Sequence, residues 1–254
     1  MGELEGKRAL VTGGAQGLGQ AIATLLVERG ARVMIADIDE AGAKAAAGEL
    51  GEAARAVRCD VTQAHDLEAA VAATVEAFGG LDVMINNAGI EIVKPLFDHT
   101  EEEFDRLMEI NVKGVWLGMK YAVPALTKPG GVIVNMASAA ALGGVPLFGA
   151  YCASKAGVVQ LTRVAAVELR GAGVGIRVNA VCPGFIQTAM VDRLKPIVEA
   201  AIGMPFDEIA ALKQGRVGTP EEVAEMVAFL VSDDSSFTNG AAYVLDGGVS
   251  AALL

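Results

Sequence analysis

A doubly wound, mostly parallel α/β sheet of seven strands, with helices on both faces, is the architecture this sequence predicts. Short β-branched and aliphatic runs alternate with helical periodicity along the whole chain. A glycine-rich turn joins the first run to the first helix. Gly13, Asp37, Asn86, Ser138 and Pro183 each follow a predicted strand. Residues able to do chemistry therefore converge on one edge of the sheet, where open α/β sheets bind ligands.

The first strand lies in Lys7–Val11 and runs into Thr12-Gly13-Gly14-Ala15-Gln16-Gly17-Leu18-Gly19. A helix follows, with Ile22, Leu25 and Leu26 on its apolar stripe, and it stops at Gly30. Strand, glycine turn and helix is the context of a dinucleotide phosphate site, because the helix start offers free N–H donors and partial positive charge. The glycine spacing is not strict GxGxxG, and Gln20 and Ala21 stand where a Walker loop needs Lys and Ser or Thr. An ordinary glycine-rich turn is the competing reading.

The second strand, Arg32–Ala36, ends at Asp37, 24 positions beyond Gly13. An acidic residue there accepts hydrogen bonds from ribose hydroxyls and repels a 2′-phosphate. Asp39 competes as the N-cap of the alanine-rich helix that follows. No Arg or Lys comes before Lys44, so NAD is favoured over NADP. A third strand spans Ala54–Cys59, closed by Asp60-Val61-Thr62, and its helix carries Leu67, Val71 and Val75 before Gly79-Gly80. Leu81–Ile85 is a near-continuous apolar run of the kind parallel sheets bury on both faces. It opens into Asn86-Asn87-Ala88-Gly89, which reads equally as a ligand edge or as turn chemistry.

Thr100-Glu101-Glu102-Glu103 is a capping box, so these carboxylates belong to a helix start. That helix continues past Asn111, Gly114 and Gly118, residues unfavourable inside a helix, which points to a local reason for them. Gly131–Met136 is the fifth strand, and Ile176–Val181, followed by Pro183-Gly184, is the sixth. The segment 189–217 reads as an irregular lid, because Pro196, Gly203 and Pro205 interrupt its apolar residues. Thr219-Pro220-Glu221-Glu222 starts a last helix, and Ala242–Leu245 is the last strand.

Between the fifth and sixth strands, Tyr151 and Lys155 share a helix running to about Arg170, and i,i+4 spacing stacks them on one face. An ammonium beside a phenol favours the phenolate. A fall of about three units from the usual value near 10 corresponds to roughly 4 kcal/mol and yields a proton-transfer group usable at neutral pH. Taken alone, such a pair is more often surface packing.

Composition narrows the function. A formal charge of −11 argues against a nucleic-acid partner and an anionic membrane surface. Lys128–Lys155 has no charge between its ends, but its glycines and Pro146 break it as a membrane span. Cys59, Cys152 and Cys182 have no CxxC spacing and are odd in number, which points to a reducing, cytoplasmic setting. His65 and His99 are distant in sequence, so no metal site is expected, and Met1 does not lead into an apolar signal region.

In order and spacing, Thr12-Gly13-x-x-x-Gly17-x-Gly19, Asn86-Asn87-Ala88-Gly89, Asn111, Ser138-x12-Tyr151-x3-Lys155 and Pro183-Gly184 resemble the short-chain dehydrogenase/reductase family over essentially the whole chain. The resemblance implies one Rossmann domain over residues 1–254, with a nicotinamide cofactor. It implies Tyr151 as general acid/base and Lys155 holding the nicotinamide ribose while lowering the Tyr pKa. Ser138 would bind the substrate oxygen, and Asn111 would anchor a water chain from Lys155. The implied cofactor set is Gly13, Gln16, Gly17, Leu18, Gly19, Asp37, Ile38, Asp60, Val61, Asn87, Ala88, Gly89, Tyr151, Lys155, Pro183, Gly184, Ile186 and Thr188. Asp60 and Val61 would face the adenine, and Ile186 and Thr188 the carboxamide.

The expected reaction is hydride exchange between NAD and a secondary alcohol or ketone, in a homotetramer. A 3-oxoacyl-thioester reductase of the same family is the alternative. Such an enzyme would carry basic residues where Gln16 and Asp37 stand, and Glu91-Ile92-Val93-Lys94 does not resemble that subgroup. A non-catalytic NAD-binding sensor would usually lack one of Asn111, Ser138, Tyr151 and Lys155, and all four are present.

Overall fold

Alternation along the strands decides the layers. In the computed structural model, which describes residues 3–126 and 130–251, the strands are β1 (Arg8–Thr12), β2 (Arg32–Asp37), β3 (Ala54–Arg58), β4 (Val83–Asn86), β5 (Val132–Met136), β6 (Arg177–Pro183) and β7 (Ala242–Leu245). They form one sheet in the order β3-β2-β1-β4-β5-β6-β7, every pairing parallel. Ala9, Val11, Val33, Ile35, Val83 and Ile85 face one side, with α1 (Gly17–Glu28) and α9 (Pro220–Val231) packed over them. Leu10, Met34, Met84 and Ile133 face the other, beneath α3 (Ala64–Phe78), α5 (Gly114–Ala122) and α6 (Gly149–Gly171). Two buried faces explain why these strands read as unbroken apolar runs.

Strand order reverses between β1 and β4, which opens a crevice at their carboxyl ends. At the opposite ends Arg8 Nε and Nη2 grip the Asp82 carboxylate at 2.6 and 2.7 Å, tying the start of β1 to the entry of β4. A buried polar chain crosses the middle of the sheet. Asn86 Nδ2 donates to Asn135 Oδ1 at 2.8 Å, and Asn135 Nδ2 donates to Thr162 Oγ1 on α6 at 2.9 Å. Gly118 lets α5 close on this chain, since a Cβ there would overlap Asn86 Oδ1. Gly118→Ala is expected to cost about 2–4 kcal/mol through overpacking and a disturbed buried hydrogen bond. A urea midpoint equal to the parent's would count against that account.

Two expectations need correction. Residues 189–217 are not irregular: they hold α7 (Ala189–Ile202) and α8 (Phe206–Gln214). Thr188 caps α7 by accepting from Val191 N, and Gly203 ends it at φ 75°. Pro205 stands at the N-cap of α8, so this punctuation ends helices instead of preventing them. Pro196 sits inside α7. The helix expected through Asn111 is also not continuous. It comprises α4 (Glu101–Met108), a π-turn over Glu109–Lys113, and α5.

The two capping boxes form with both reciprocal bonds, and Asp39 caps α2 (Glu40–Leu50). The charge-free stretch is β5, a 3₁₀ turn and the start of α6; Lys128 lies outside the described residues. Among the described residues no helix is long and apolar enough to cross a membrane.

Candidate active site

Two loops meet at the crevice and are stapled together. Thr12 Oγ1 accepts from Asn87 N at 3.1 Å and Ala88 N at 3.2 Å. Asn87 Nδ2 donates to Thr12 O at 3.0 Å and Gly13 O at 2.9 Å, so both of its amide protons are spent on the protein. A Cβ on Gly13 would fall 2.8 Å from Ala88 Cα, and one on Gly19 would overlap Gly13 O. Gly13 and Gly17 also adopt φ of 64° and 59°, open to glycine at no steric cost.

The helix start behind this turn lacks partners. Gln16, the N-cap of α1, makes no side-chain cap, and the first turn holds no acidic residue. Uncapped N–H groups and the helix dipole make a ready anion site. Asp37 borders it: Oδ2 accepts from Ala15 N and Oδ1 from Asp39 N, both at 3.0 Å. Ile38 beside it is 62% exposed. Asp60 Oδ1 is bound to Thr62 N and Oγ1, and Val61 packs behind Gly114. Thr188, from the loop after β6, comes within 3.8 Å of a Cβ built on Gly17, so the β1 and β6 loops share one crevice.

The second half of the site sits beside the first. Asn111 is fully buried; its Nδ2 donates to Ile90 O at 2.9 Å and Ser154 Oγ at 3.1 Å, and its Oδ1 accepts from Ile90 N at 2.9 Å. The π-turn carries an asparagine whose side chain holds the backbone of a neighbouring loop. A Cβ on Gly89 would lie 3.2 Å from Asn111 Oδ1 and 3.3 Å from Lys155 Nζ, so these groups converge there. Lys155, 4% exposed, donates to Met136 O at 2.9 Å, and its Nζ lies 5.6 Å from the Tyr151 ring centroid. Ser138 Oγ accepts from Ala140 N at 3.2 Å, at the end of β5. Ile186 is buried and accepts from Thr188 Oγ1 at 3.3 Å. Gly184 N donates to Leu245 O at 2.9 Å, joining the end of β6 to the last strand.

The expected fall in the Tyr151 pKa is not what this arrangement gives. Burial pushes Tyr151 up to about 12, against the opposing pull of the nearby Ser138 hydroxyl. Lys155 is itself pushed down to about 8 by burial. Its ammonium is directed at a backbone carbonyl and lies over the ring, so desolvation outweighs charge–charge stabilisation.

The helices α7 and α8 close over Tyr151 with a small core of their own: Phe148, Val191, Leu194, Val198, Phe206 and Ile209, against which Tyr151, Cys152, Val93 and Phe185 pack. Cys152 is thus part of a packing surface. Gln214 anchors the end of α8, accepting from Phe185 N and donating to Phe185 O. Leu147, in the loop before α6, holds φ 72°, strained for a branched residue, and its carbonyl accepts from Lys94 N at 3.0 Å. Ser154 and Gln214 were absent from the expected site, and Thr12 stood in its glycine motif without an assigned role. A lone hydroxyl or amide carries no sequence signal for the loop it will hold.

A family model described as Enoyl-(Acyl carrier protein) reductase matches residues 13–250. The chain belongs to the short-chain dehydrogenase/reductase family. It is 44% identical over 255 residues to 2,5-dichloro-2,5-cyclohexadiene-1,4-diol dehydrogenase of Sphingobium indicum, covering 99% of this chain and 100% of the relative. It is 41% identical over 253 residues to a 3-alpha-(or 20-beta)-hydroxysteroid dehydrogenase of Mycobacterium tuberculosis, covering 99% and 92%. Among solved structures, levodione reductase superposes with a TM-score of 0.91 at 36% identity, over 98% of this chain and 99% of that one. Membership of the short-chain dehydrogenase/reductase family makes the chain an oxidoreductase that uses a nicotinamide cofactor.

Proposed function

We propose that this short-chain dehydrogenase/reductase is an NAD-dependent enzyme that interconverts a small secondary alcohol and its ketone, with Tyr151 as general acid/base. The observation that carries the reading is the convergence of Ser138, Tyr151, Lys155 and Asn111 beside an uncapped glycine-turn helix bordered by Asp37. The alcohol-oxidising names of the Sphingobium and Mycobacterium relatives support the substrate class.

The residues fit the cofactor. The α1 amides with Gly13, Gln16, Gly17, Leu18 and Gly19 would hold the pyrophosphate, and Asp37 and Ile38 the adenosine ribose. Asp60 and Val61 would border the adenine, and Ala88 and Gly89 would leave room for the backbone of the cofactor to pass. Pro183, Gly184, Ile186 and Thr188 would line the nicotinamide end. Bound there, the nicotinamide supplies or accepts the hydride. Ser138 Oγ holds the substrate oxygen, and the Tyr151 phenol gives that oxygen a proton or takes one away. Lys155 fixes the nicotinamide ribose and offers positive charge when the phenolate forms. Asn111 keeps Ile90 in place and anchors the route by which Lys155 exchanges protons. The helices α7 and α8, over residues 189–217, act as the substrate lid.

Cofactor choice rests on Asp37. A second anionic group beside its carboxylate is disfavoured, so kcat/KM with NADP should fall about a hundredfold below that with NAD. Asp37→Ala should narrow the gap to within about tenfold, while NAD turnover also drops because Ala15 N loses its acceptor. Equal use of both cofactors by the parent enzyme would overturn the assignment. We also propose a cytoplasmic homotetramer. Free Cys59, Cys152 and Cys182 support the first, and exposed Trp116, Val164, Val167 and Val244 the second.

A further inference from the structure

Glu91 takes no part in the transfer of proton or hydride. It follows Ile90, whose N–H and carbonyl are both held by Asn111, so the backbone that delivers it is fixed on two sides. Its side chain is only 10% exposed. The nearest cation is Arg193 on α7, 63% exposed, with Nη2 3.6 Å from Glu91 Oε1, longer than a hydrogen bond. A carboxylate offers about four acceptor positions, and Arg193 with the residue's own backbone N–H leaves part of that capacity unused. Burial accordingly pushes the Glu91 pKa up.

Its surroundings are the informative part. Val93, two residues on, packs into the apolar cluster formed by α7 and α8, and Tyr151 packs into the same cluster. The Glu91 charge is felt at Tyr151, where it opposes phenolate formation. A carboxylate whose one cation is a largely exposed arginine of α7 thus stands beside the apolar cluster in which Tyr151 packs.

We infer that Glu91 is a substrate-binding residue whose buried carboxylate accepts a hydrogen bond from a second, uncharged hydroxyl of the substrate. The inference rests on the alcohol-dehydrogenase reading and narrows it to diols and hydroxyketones. A diol supplies the missing donor, whereas a simple alcohol leaves the carboxylate poorly solvated. A substrate bearing a carboxylate or phosphate near that position is repelled.

The test compares the 1,2- and 1,4-cyclohexanediols with cyclohexanol in NAD-linked oxidation by the parent, Glu91→Leu, Glu91→Gln and Arg193→Met enzymes, with NADH binding followed by fluorescence. The parent should favour the best diol over cyclohexanol by about tenfold or more in kcat/KM, the scale of a charge-assisted hydrogen bond. Glu91→Leu should bring that ratio close to one, and near-isosteric Glu91→Gln, a weaker acceptor, to an intermediate value. Damage to the fold would lower both substrates together and leave the ratio alone. Arg193→Met should retain the diol preference. The inference is overturned if the parent oxidises cyclohexanol as well as every diol, if both Glu91 variants keep the parent ratio, or if Arg193→Met abolishes it, which would make the pair a structural latch. Binding of NADH without oxidation of any of these alcohols would instead overturn the underlying alcohol-dehydrogenase reading.

Discussion

Tyr151→Phe should lower kcat for NAD-linked alcohol oxidation by about a thousandfold or more while NADH still binds. A positioned acid/base group contributes about 10²–10⁴ in rate, and this substitution deletes the group without moving its ring. Edge-on contact with Phe148, at 6.3 Å between centroids, and packing under α7 and α8 do not use the hydroxyl. The fold should therefore survive. The direction of pH dependence follows from the same residue. With the Tyr151 phenol held up at about 12, it is protonated at neutral pH and ready to donate in ketone reduction. Oxidation needs it deprotonated, so kcat/KM for oxidation should climb with pH through the alkaline range in the parent enzyme, and this rise should vanish in Tyr151→Phe. Stopped-flow NADH absorbance and a fluorescence titration together decide the matter. Undiminished turnover would remove Tyr151 from the chemistry, whereas lost NADH binding would show that the substitution had damaged the crevice.

Most of the sheet was legible in the sequence because each central strand is covered on both faces. Burial of both faces forces a contiguous apolar run such as Val83-Met84-Ile85, and the adjoining turn then falls at the ligand edge. Capping was legible for the same reason: Thr100 with Glu103, and Thr219 with Glu222, meet within one helical turn. What was not legible depends on contacts distant along the chain. The π-turn at Asn111 has no periodicity of its own and makes sense only once Ile90 is seen against it. Pro196, Gly203 and Pro205 looked like breaks because two short, separately capped helices carry the same punctuation as a loop. The sign of the Tyr151 shift depended on whether Lys155 points at the phenol oxygen or at Met136 O, which i,i+4 spacing does not determine.

That lysine gives the second large effect, in which activity and stability move in opposite directions. Lys155→Met should reduce turnover by at least about a hundredfold, since it removes the charge that supports the phenolate and grips the ribose. The same change should make the cofactor-free protein more stable at pH 7. Lys155 is buried, donates one hydrogen bond, to Met136 O, and pairs with no carboxylate among the described residues. Its pKa falls from 10.5 to about 8 on folding. A depressed lysine pKa means that the folded state disfavours the charged form. The cost is fully present below about pH 8, shrinks between about 8 and 10.5, and is gone above that range. A shift of that size corresponds to about 3 kcal/mol, offset by about 1 kcal/mol for the lost bond to Met136 O. Urea unfolding at pH 7 should therefore show Lys155→Met about 2 kcal/mol more stable than the parent, with the advantage disappearing near pH 10.5. A variant less stable than the parent at pH 7 would mean that the ammonium is solvated better than its burial implies. The expected outcome places a destabilising charge where the chemistry needs it, so that bound cofactor and substrate, instead of the fold, supply its partners.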